Sequence, residues 1–277
     1  MRVNATTGGA ESGNAKLSDL EFEHFRKFIY GVAGISLGPS KKSLVAGRLS
    51  KRLKAHGLSS FGQYYHLVSR QAEERQIAID LLTTNETHFF REPRHFELLR
   101  QQALTEHDRR QPFRVWSAAC STGEEVYTLA MVLADELGPG PWEVLGSDIS
   151  TRVLQQAESG LYSMDRAAEL PDHCLKQYCL RGVGRMDGSF VVAPKLRTRT
   201  RFAQINLTEP LPAQDTFDVI FLRNVLIYFQ PDTKRQVIER LLSRLRPGGW
   251  LFVGHSETLN DLVRGVESVA PAVYRKS

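Results

Sequence analysis

The sequence is poor in cysteine, in long apolar runs and in phosphate-binding glycine signatures, and each lack removes a class of protein. Three cysteines among 277 residues, Cys120, Cys174 and Cys179, form no CxxC pair. An odd, scattered set supports neither a disulfide framework nor a zinc site and reads as reduced thiols. No stretch approaches the ~18 uninterrupted apolar residues of a membrane helix. The N-terminus lacks the basic start and apolar run of a secretory signal, so a cytoplasmic protein is expected. No GxGxxG and no GK[ST] follows a strand, which leaves recognition through phosphates poorly supported. There is no internal repeat.

What is present is an ordinary globular composition, 42% hydrophobic and 24% charged, enough for a sizeable core. Residues 1–16 are small and polar and read as a flexible tail. The net charge of +5 is uneven: residues 1–84 hold 12 Lys and Arg against 7 Asp and Glu, and the remainder holds 24 of each. A basic first third suggests a separate N-terminal module with an acidic partner.

From Leu17 to Leu82 the pattern is helical. Leu20, Phe25, Phe28 and Ile29 recur at helical spacing. A second helix is expected with Ser40 as N-cap, Gly57 as stop, and Val45, Leu49 and Leu53 as its buried stripe. Lys41, Arg48 and Arg52 fall on another face, and residues 41–54 hold six Lys and Arg and no acid. SSFGQYYHLVSR and AEERQIAIDLLTT make two more helices. Beyond Thr84 strands alternate with helices: strands at 113–119, 142–148, 200–206, 217–222, 250–257 and 272–276, with helices over EEVYTLAMVLADELG, ISTRVLQQAESG and PDTKRQVIERLLSRLRPGG. That alternation predicts an α/β fold, a parallel sheet with helices on both faces. Ligands bind such sheets beyond the carboxyl ends of the strands. Gly182, Gly184 and Gly188, between two β-prone runs, predict a hairpin in a small β insertion over about 171–200.

The chemistry gathers at the strand ends. The first strand runs into Ser117, Ala118, Ala119, Cys120, Ser121, Thr122 and Gly123, a small-residue turn that lets a cofactor approach the backbone. Glu124 and Glu125 at the next helix start would repel a phosphate and suit a cationic ligand such as a sulfonium; a tight βα turn with two helix-start acids reads equally from the same residues. Asp148 ends the second strand, where an acid reaches ribose hydroxyls or caps the following helix. Asn206 stands where its amide could read an adenine edge, and Arg223 and Asn224 end the FDVIFL strand on the ligand face; both asparagines would also serve loop backbone. TTNETHFFREPRHF (83–96) sets Asn85, Thr87 and Arg91 around Phe89 and Phe90, and alone would read as a linker helix with an aromatic anchor.

Taken together, TTNETHFFRE, VWSAACSTGEE, GSDIST, FDVIFLRNVLIYF and LRPGGWLFVGHSE resemble the signature stretches of the bacterial chemotaxis receptor glutamate O-methyltransferases (the CheR family). The resemblance runs from about Leu17 to Tyr274. It implies a helical receptor-recognition domain (17–84), then a Rossmann-like S-adenosylmethionine-dependent methyltransferase domain (85–277) with a small antiparallel β subdomain. It implies methylation of receptor glutamates to methyl esters, with S-adenosylhomocysteine as product and no metal. Asn85, Thr87, Arg91, Ala119, Glu125, Asp148, Ile149, Asn206, Leu207, Arg223 and Asn224 match the family's cofactor-binding pattern, and Arg91 and Tyr228 match residues lining its methyl-transfer site. Cys120 stands where Ala is more usual, and Val126 where Pro is common. The resemblance also implies that the basic helix meets the acidic methylation region of a chemoreceptor. It further implies that RGVGRMDG (181–188) belongs to a subdomain that docks a C-terminal receptor peptide as an edge strand.

Two other readings share the pattern. A nucleic-acid methyltransferase would use the basic module on phosphates, but the chain has RNVLIYF where [DN]PP[YF] is common and no Pro-Cys pair for cytosine attack. A signalling module could bind the cofactor without turnover, although Arg91 and Tyr228 are in place.

Overall fold

Ser18 opens the first helix with a reciprocal pair of bonds: the Glu21 N–H donates to its hydroxyl at 3.3 Å, and its own N–H donates to the Glu21 carboxylate at 2.9 Å. The computed structural model describes residues 15–212, 216–259 and 262–277, so most of the expected tail lies outside the described residues. Four helices form the N-terminal unit: α1 (Asp19–Ala33), α2 (Lys42–Ala55), α3 (Phe61–Arg70) and α4 (Ala72–Leu82). Phe22, Phe25, Ile29, Val45, Leu49, Leu53, Tyr64 and Val68 fill their common core. Glu74 of α4 is buried beside it, accepting from Arg52 Nε (2.7 Å) and Nη2 (2.5 Å) and from the Tyr64 hydroxyl (2.8 Å).

Two expectations for this unit need correction. Leu20 is 69% exposed; it lies five residues before Phe25, roughly 140° around the helix from the buried stripe. Ser40 does not cap α2. Pro39 starts a 3-10 turn (Pro39–Lys41), and α2 follows from Lys41 with no side-chain cap. The basic face is also less free than its sequence suggests. Arg48 donates to the carbonyls of Leu82 and Thr83 (3.2 and 2.9 Å), and Lys42 pairs with Asp19. Lys41, Lys51 and Lys54 are exposed.

Residues 84–93 are irregular, not helical; Phe90 and Glu92 turn the chain with φ of +51° and +57°. The aromatic anchor is real: Phe89 is fully buried, edge-on to Tyr162 at 5.0 Å. Beyond it run α5 (Arg94–Leu98), β1 (Phe113–Ala118), α6 (Glu124–Leu137), β2 (Trp142–Asp148), α7 (Thr151–Ser159), β3 (Leu161–Ser163), α8 (Asp172–Tyr178), β4 (Cys179–Arg181), β5 (Ser189–Val192), α9 (Pro194–Arg197), β6 (Thr200–Gln204), β7 (Phe217–Leu222), α10 (Pro231–Arg244), β8 (Leu245–Val253), β9 (Val266–Ala270) and β10 (Val273–Lys276).

The main sheet has the order β6-β2-β1-β7-β8-β10-β9, parallel from β6 to β8, with β10 antiparallel to both its neighbours. Alternate residues face opposite ways. Val115, Val219, Phe221 and Phe252 pack with α6, while Trp116, Ile220, Leu222 and Leu251 pack with α10. Every residue of β7 is buried, as a central parallel strand requires.

A second sheet, β3-β5-β4, is antiparallel, and its β4–β5 pair is the expected hairpin. It recruits β3 from before residue 171, so the insertion begins earlier than expected. α10 ends at Arg244 and β8 begins at Leu245, before the PGG, because Pro247 biases Arg246 toward extended backbone. β9 was not expected; VESVA buries no residue and carries no apolar period. No described helix is long and apolar enough to cross a membrane.

Candidate active site

Four strand ends and the helical unit enclose one cavity of about 210 Å³. Between β1 and α6 the backbone enters the left-handed region at Ala119 (φ +69°), Ser121 (φ +50°) and Gly123 (φ +94°). At Gly123 an added Cβ would lie 2.7 Å from the Ala157 Cβ, so this glycine seats α6 against α7 and not against a ligand. Asp148 ties the two turns together: its carboxylate accepts from the Ser121 N–H at 2.9 Å and the Ser150 N–H at 3.0 Å. Burial pushes its carboxyl above the usual range in spite of these bonds. It does not cap α7. That helix follows Ser150, and the Thr151 N–H donates instead to Asp80 of α4 at 3.0 Å.

The structure brings Asn85, Ala119, Asp148, Ile149, Asn206, Leu207, Arg223, Asn224 and Tyr228 to the cavity wall. Three expected residues stand elsewhere. Glu125 lies behind the wall, accepting from Ser117 Oγ (2.7 Å) and Arg223 Nε (2.6 Å). Thr87 is buried, and its carbonyl accepts from Arg166 at 2.7 Å. Arg91 donates to the carbonyl of Glu86, a wall residue, at 2.8 Å. The Asn206 amide lines the cavity but is committed to protein: Nδ2 donates to Val32 O (2.7 Å) and Glu209 Oε1 (3.0 Å), while Oδ1 accepts from Thr208 N–H (3.1 Å).

Sequence reasoning missed several residues here. Ser36, Leu37 and Lys41 line the cavity from the helical unit. Ser121 Oγ donates to Asn85 O at 2.9 Å and joins the linker to the first turn. Glu92 accepts from Asn224 Nδ2 at 3.2 Å; it stood inside the quoted NETHFFRE stretch, but nothing local separates it from a solvated acid. His95 is buried against Arg223 and its pKa falls to about 4, through burial first and the guanidinium second.

Two described clusters hold metal-ligating atoms within reach of one another, Glu92–His95–His255 and Asp135–His173–Cys174. In the first, Arg223 Nη1 already lies 3.3 Å from His95 Nδ1 and 3.5 Å from Glu92 Oε2, a fixed cation where an ion would go. In the second, Tyr178 donates to Asp135 at 2.6 Å and His173 pairs with the same side chain. Cys120 is buried, and burial with the nearby Asp148 and Glu125 raises its thiol far above the ordinary value, so it is no nucleophile.

The donor set can be matched to a ligand. Leu37, Leu82, Ile205, Leu207 and Val225 give apolar walls; Asp148 gives one buried carboxylate; Arg223 and Asn224 give donors at the strand end. The turn has no glycine-rich amide cradle, and Glu124 and Glu125 occupy the helix start where phosphate would bind. This suits a nucleoside without phosphate. A parallel sheet with antiparallel β10 inserted beside its edge strand, and such a cavity at its carboxyl edge, is the architecture of a Rossmann-like S-adenosylmethionine-dependent methyltransferase.

The chain belongs to the CheR methyltransferase family. The family's SAM-binding domain matches residues 85–274 and its all-alpha domain residues 20–83. The chain is 42% identical to the chemotaxis protein methyltransferase of Salmonella typhimurium, over 94% of this chain and 91% of that protein. It is 42% identical to chemotaxis protein methyltransferase 2 of Pseudomonas aeruginosa over 92% of each, and 42% identical to the Escherichia coli chemotaxis protein methyltransferase over 94% and 92%. Membership makes S-adenosylmethionine the cofactor and decides for the methyltransferase among the readings left open by the sequence.

Proposed function

We propose that this protein transfers a methyl group from S-adenosylmethionine to glutamate side chains of methyl-accepting chemotaxis receptors, forming methyl esters in chemotactic adaptation. The cavity at the carboxyl ends of β1, β2, β6 and β7, floored by the Asp148 carboxylate, carries the reading. Asp148 binds the ribose, with Ala119 and Ile149 beside it; the apolar wall, with Leu207 and Asn206, takes the adenine; Asn85, Thr87, Arg91, Glu125, Arg223 and Asn224 hold the amino-acid end directly or through one another. Bound there, the cofactor supplies an electrophilic methyl on a sulfonium.

The acceptor glutamate needs no general base, because a carboxylate is already ionised near pH 7. The work left to the protein is alignment. Arg91 and Tyr228 position the acceptor carboxylate, and the apolar wall excludes water. Holding the partners in line accounts for much of the ~7–11 kcal/mol that proximity can supply.

Residues 17–84 act as the receptor-recognition domain and 85–277 as the methyltransferase domain, in the cytoplasm where receptor tails lie. Lys41, Lys51 and Lys54, exposed on one unit, steer acidic receptor helices into a transient encounter. In the small sheet β4 is an edge strand, with Leu180 within it at 52% exposure and Val183 just beyond it at 79%. That edge takes a C-terminal receptor peptide by strand addition, which raises local concentration without altering the chemistry.

The test is calorimetric titration with S-adenosylmethionine and S-adenosylhomocysteine beside Asp148→Ala, followed by methyl transfer to receptor signalling domains. Micromolar binding that the variant loses, and base-labile methyl incorporation at glutamate, are expected. Binding without transfer to any receptor preparation would overturn the substrate assignment.

A further inference from the structure

The linker places a carboxylate behind the strand-end pair Arg223–Asn224. Glu92 holds a left-handed backbone, φ +57°, a conformation an L-residue keeps only where its surroundings enforce it. Its side chain is 13% exposed and does not line the cavity. Oε1 accepts from Asn224 Nδ2 at 3.2 Å; Oε2 lies 3.5 Å from Arg223 Nη1, 3.4 Å from His95 Nδ1 and 3.8 Å from His255 Nε2. Burial alone would raise the carboxyl, but the Arg223 guanidinium and the Asn224 amide outweigh it and bring Glu92 below its ordinary value.

Arg223 is fixed on its remaining sides. Nε donates to Glu125 at 2.6 Å, Nη1 donates to the Arg91 carbonyl at 2.6 Å, and the guanidinium lies 5.3 and 5.6 Å from the ring centres of Phe96 and Phe221. Asn224 too has a left-handed backbone, φ +59°, and its N–H donates to Glu257 at 3.0 Å. Arg223 and Asn224 are consecutive residues at the end of β7, yet their side chains meet one carboxylate contributed by the linker.

We propose that Glu92 is a positioning residue of the cofactor site: by holding Arg223 and Asn224 at once, it sets both donors against the cavity and locks the linker side of the pocket to the strand-end side. The inference rests on the assignment of this cavity to S-adenosylmethionine. Glu92 acts through Arg223 and Asn224 and touches neither the methyl group nor the acceptor.

The experiment is a double-mutant cycle in the full-length protein. Dissociation constants for S-adenosylmethionine are measured by calorimetry for wild type, E92Q, R223Q and the double variant, with thermal unfolding in parallel. Gln keeps an oxygen for Asn224 but gives up the charge facing Arg223. E92Q is expected to weaken binding roughly tenfold, as loss of a charge-assisted contact does. KM for the cofactor should rise while kcat at saturation holds. In the R223Q background the same change should add less than about twofold, because the residue it acts through is gone.

Wild-type affinity retained by E92Q would overturn the proposal, as would an equal, additive loss in the R223Q background, the mark of a purely structural role. Should E92Q unfold, E92D carries the cycle, keeping the charge and shortening its reach. Absence of binding by the wild type would sink the cofactor assignment itself, which is a different outcome from an unaffected E92Q.

Discussion

The side-chain amide of Asn206 donates to the carbonyl of Val32 across 2.7 Å, joining residues 174 apart in sequence. Val32 is in the last turn of α1, where carbonyls lack helical partners. The loop after β6 supplies one, and Thr208 Oγ1 reaches the same oxygen at 3.3 Å. A few residues on, the Ser36 N–H donates to Tyr228 O at 2.8 Å and Gln230 Nε2 donates to Ser36 Oγ at 2.7 Å. The helical unit therefore forms one wall of the cavity, and with the cofactor in that cavity, as proposed, its docking and cofactor binding should be coupled.

That coupling can be measured at Gly34. The residue ends α1 with φ +69°, and an added Cβ would lie 2.8 Å from Thr233 Cγ2 and 2.9 Å from Thr208 Cγ2. Gly34→Ala should cost the left-handed penalty of about 1 kcal/mol plus a further 1–2 kcal/mol of overpacking, and should weaken cofactor binding as the seam opens. Gly57, with φ +62° and nothing within 4 Å of its added Cβ, is the control. Urea denaturation of Gly57→Ala should show the backbone penalty alone, with cofactor affinity unchanged. Equal losses for both variants would refute the packing contribution.

A pH effect follows from His95. Its folded pKa is about 4 against an ordinary 6.5, lowered by burial and by Arg223. The folded state thus binds fewer protons than the unfolded one between those values. The stability it confers is complete above pH ~6.5 and is lost as pH falls toward and through 4, by up to about 3 kcal/mol. Unfolding free energies measured from pH 7.5 to 4.5 should fall on acidification, and His95→Gln should flatten that slope. An unchanged slope in the variant would assign the acid sensitivity to other groups.

Much of this architecture could be read from the chain, and the misses have physical causes. Buried parallel strands such as FDVIFL announce themselves because both faces are apolar. The hairpin announces itself through its glycines. β9 does not, since its residues remain accessible and its pairing comes from β10. Asp148, Arg223 and Asn224 were legible as polar residues ending apolar runs. The roles of Asp80 and Glu92 were not. Asp80 meets Thr151 at a separation of 71 residues and Glu92 meets Asn224 at 132. No local pattern encodes such pairings, and a lone acid in a helix or linker reads as solvated. Arg48 and Arg52 erred in the opposite direction: a basic run reads as an exposed face, but their partners Glu74, Leu82 and Thr83 lie in the neighbouring helix or just past its end.

The remaining basic face gives a kinetic prediction. Lys51 and Lys54 are exposed, and neither lines the cavity. Charge reversal of both to Glu should leave cofactor affinity and folding within measurement error. It should lower kcat/KM for receptor by about tenfold at low salt, chiefly through the association rate. Raising ionic strength should shrink the difference, since exposed charges are screened beyond ~10 Å at 0.1 M. A defect independent of salt would place receptor contact elsewhere on the molecule.

The role proposed for Tyr228 can be tested by separating cofactor binding from transfer. Tyr228 lies in the turn after β7, its backbone carbonyl is held by Ser36, and its side chain lines the cavity. Tyr228→Phe removes only the hydroxyl and keeps the ring that packs against the apolar cluster on the α10 face of the sheet. Cofactor affinity should therefore change by less than about twofold, while kcat with a receptor substrate should fall by roughly 10- to 100-fold, the scale on which small misplacements of a reacting group are felt. The pH dependence of the residual rate should match wild type, because the hydroxyl orients the acceptor and carries no proton. Full turnover in the variant would exclude that role and leave Tyr228 as packing; a shifted pH profile would instead point to proton transfer at this residue.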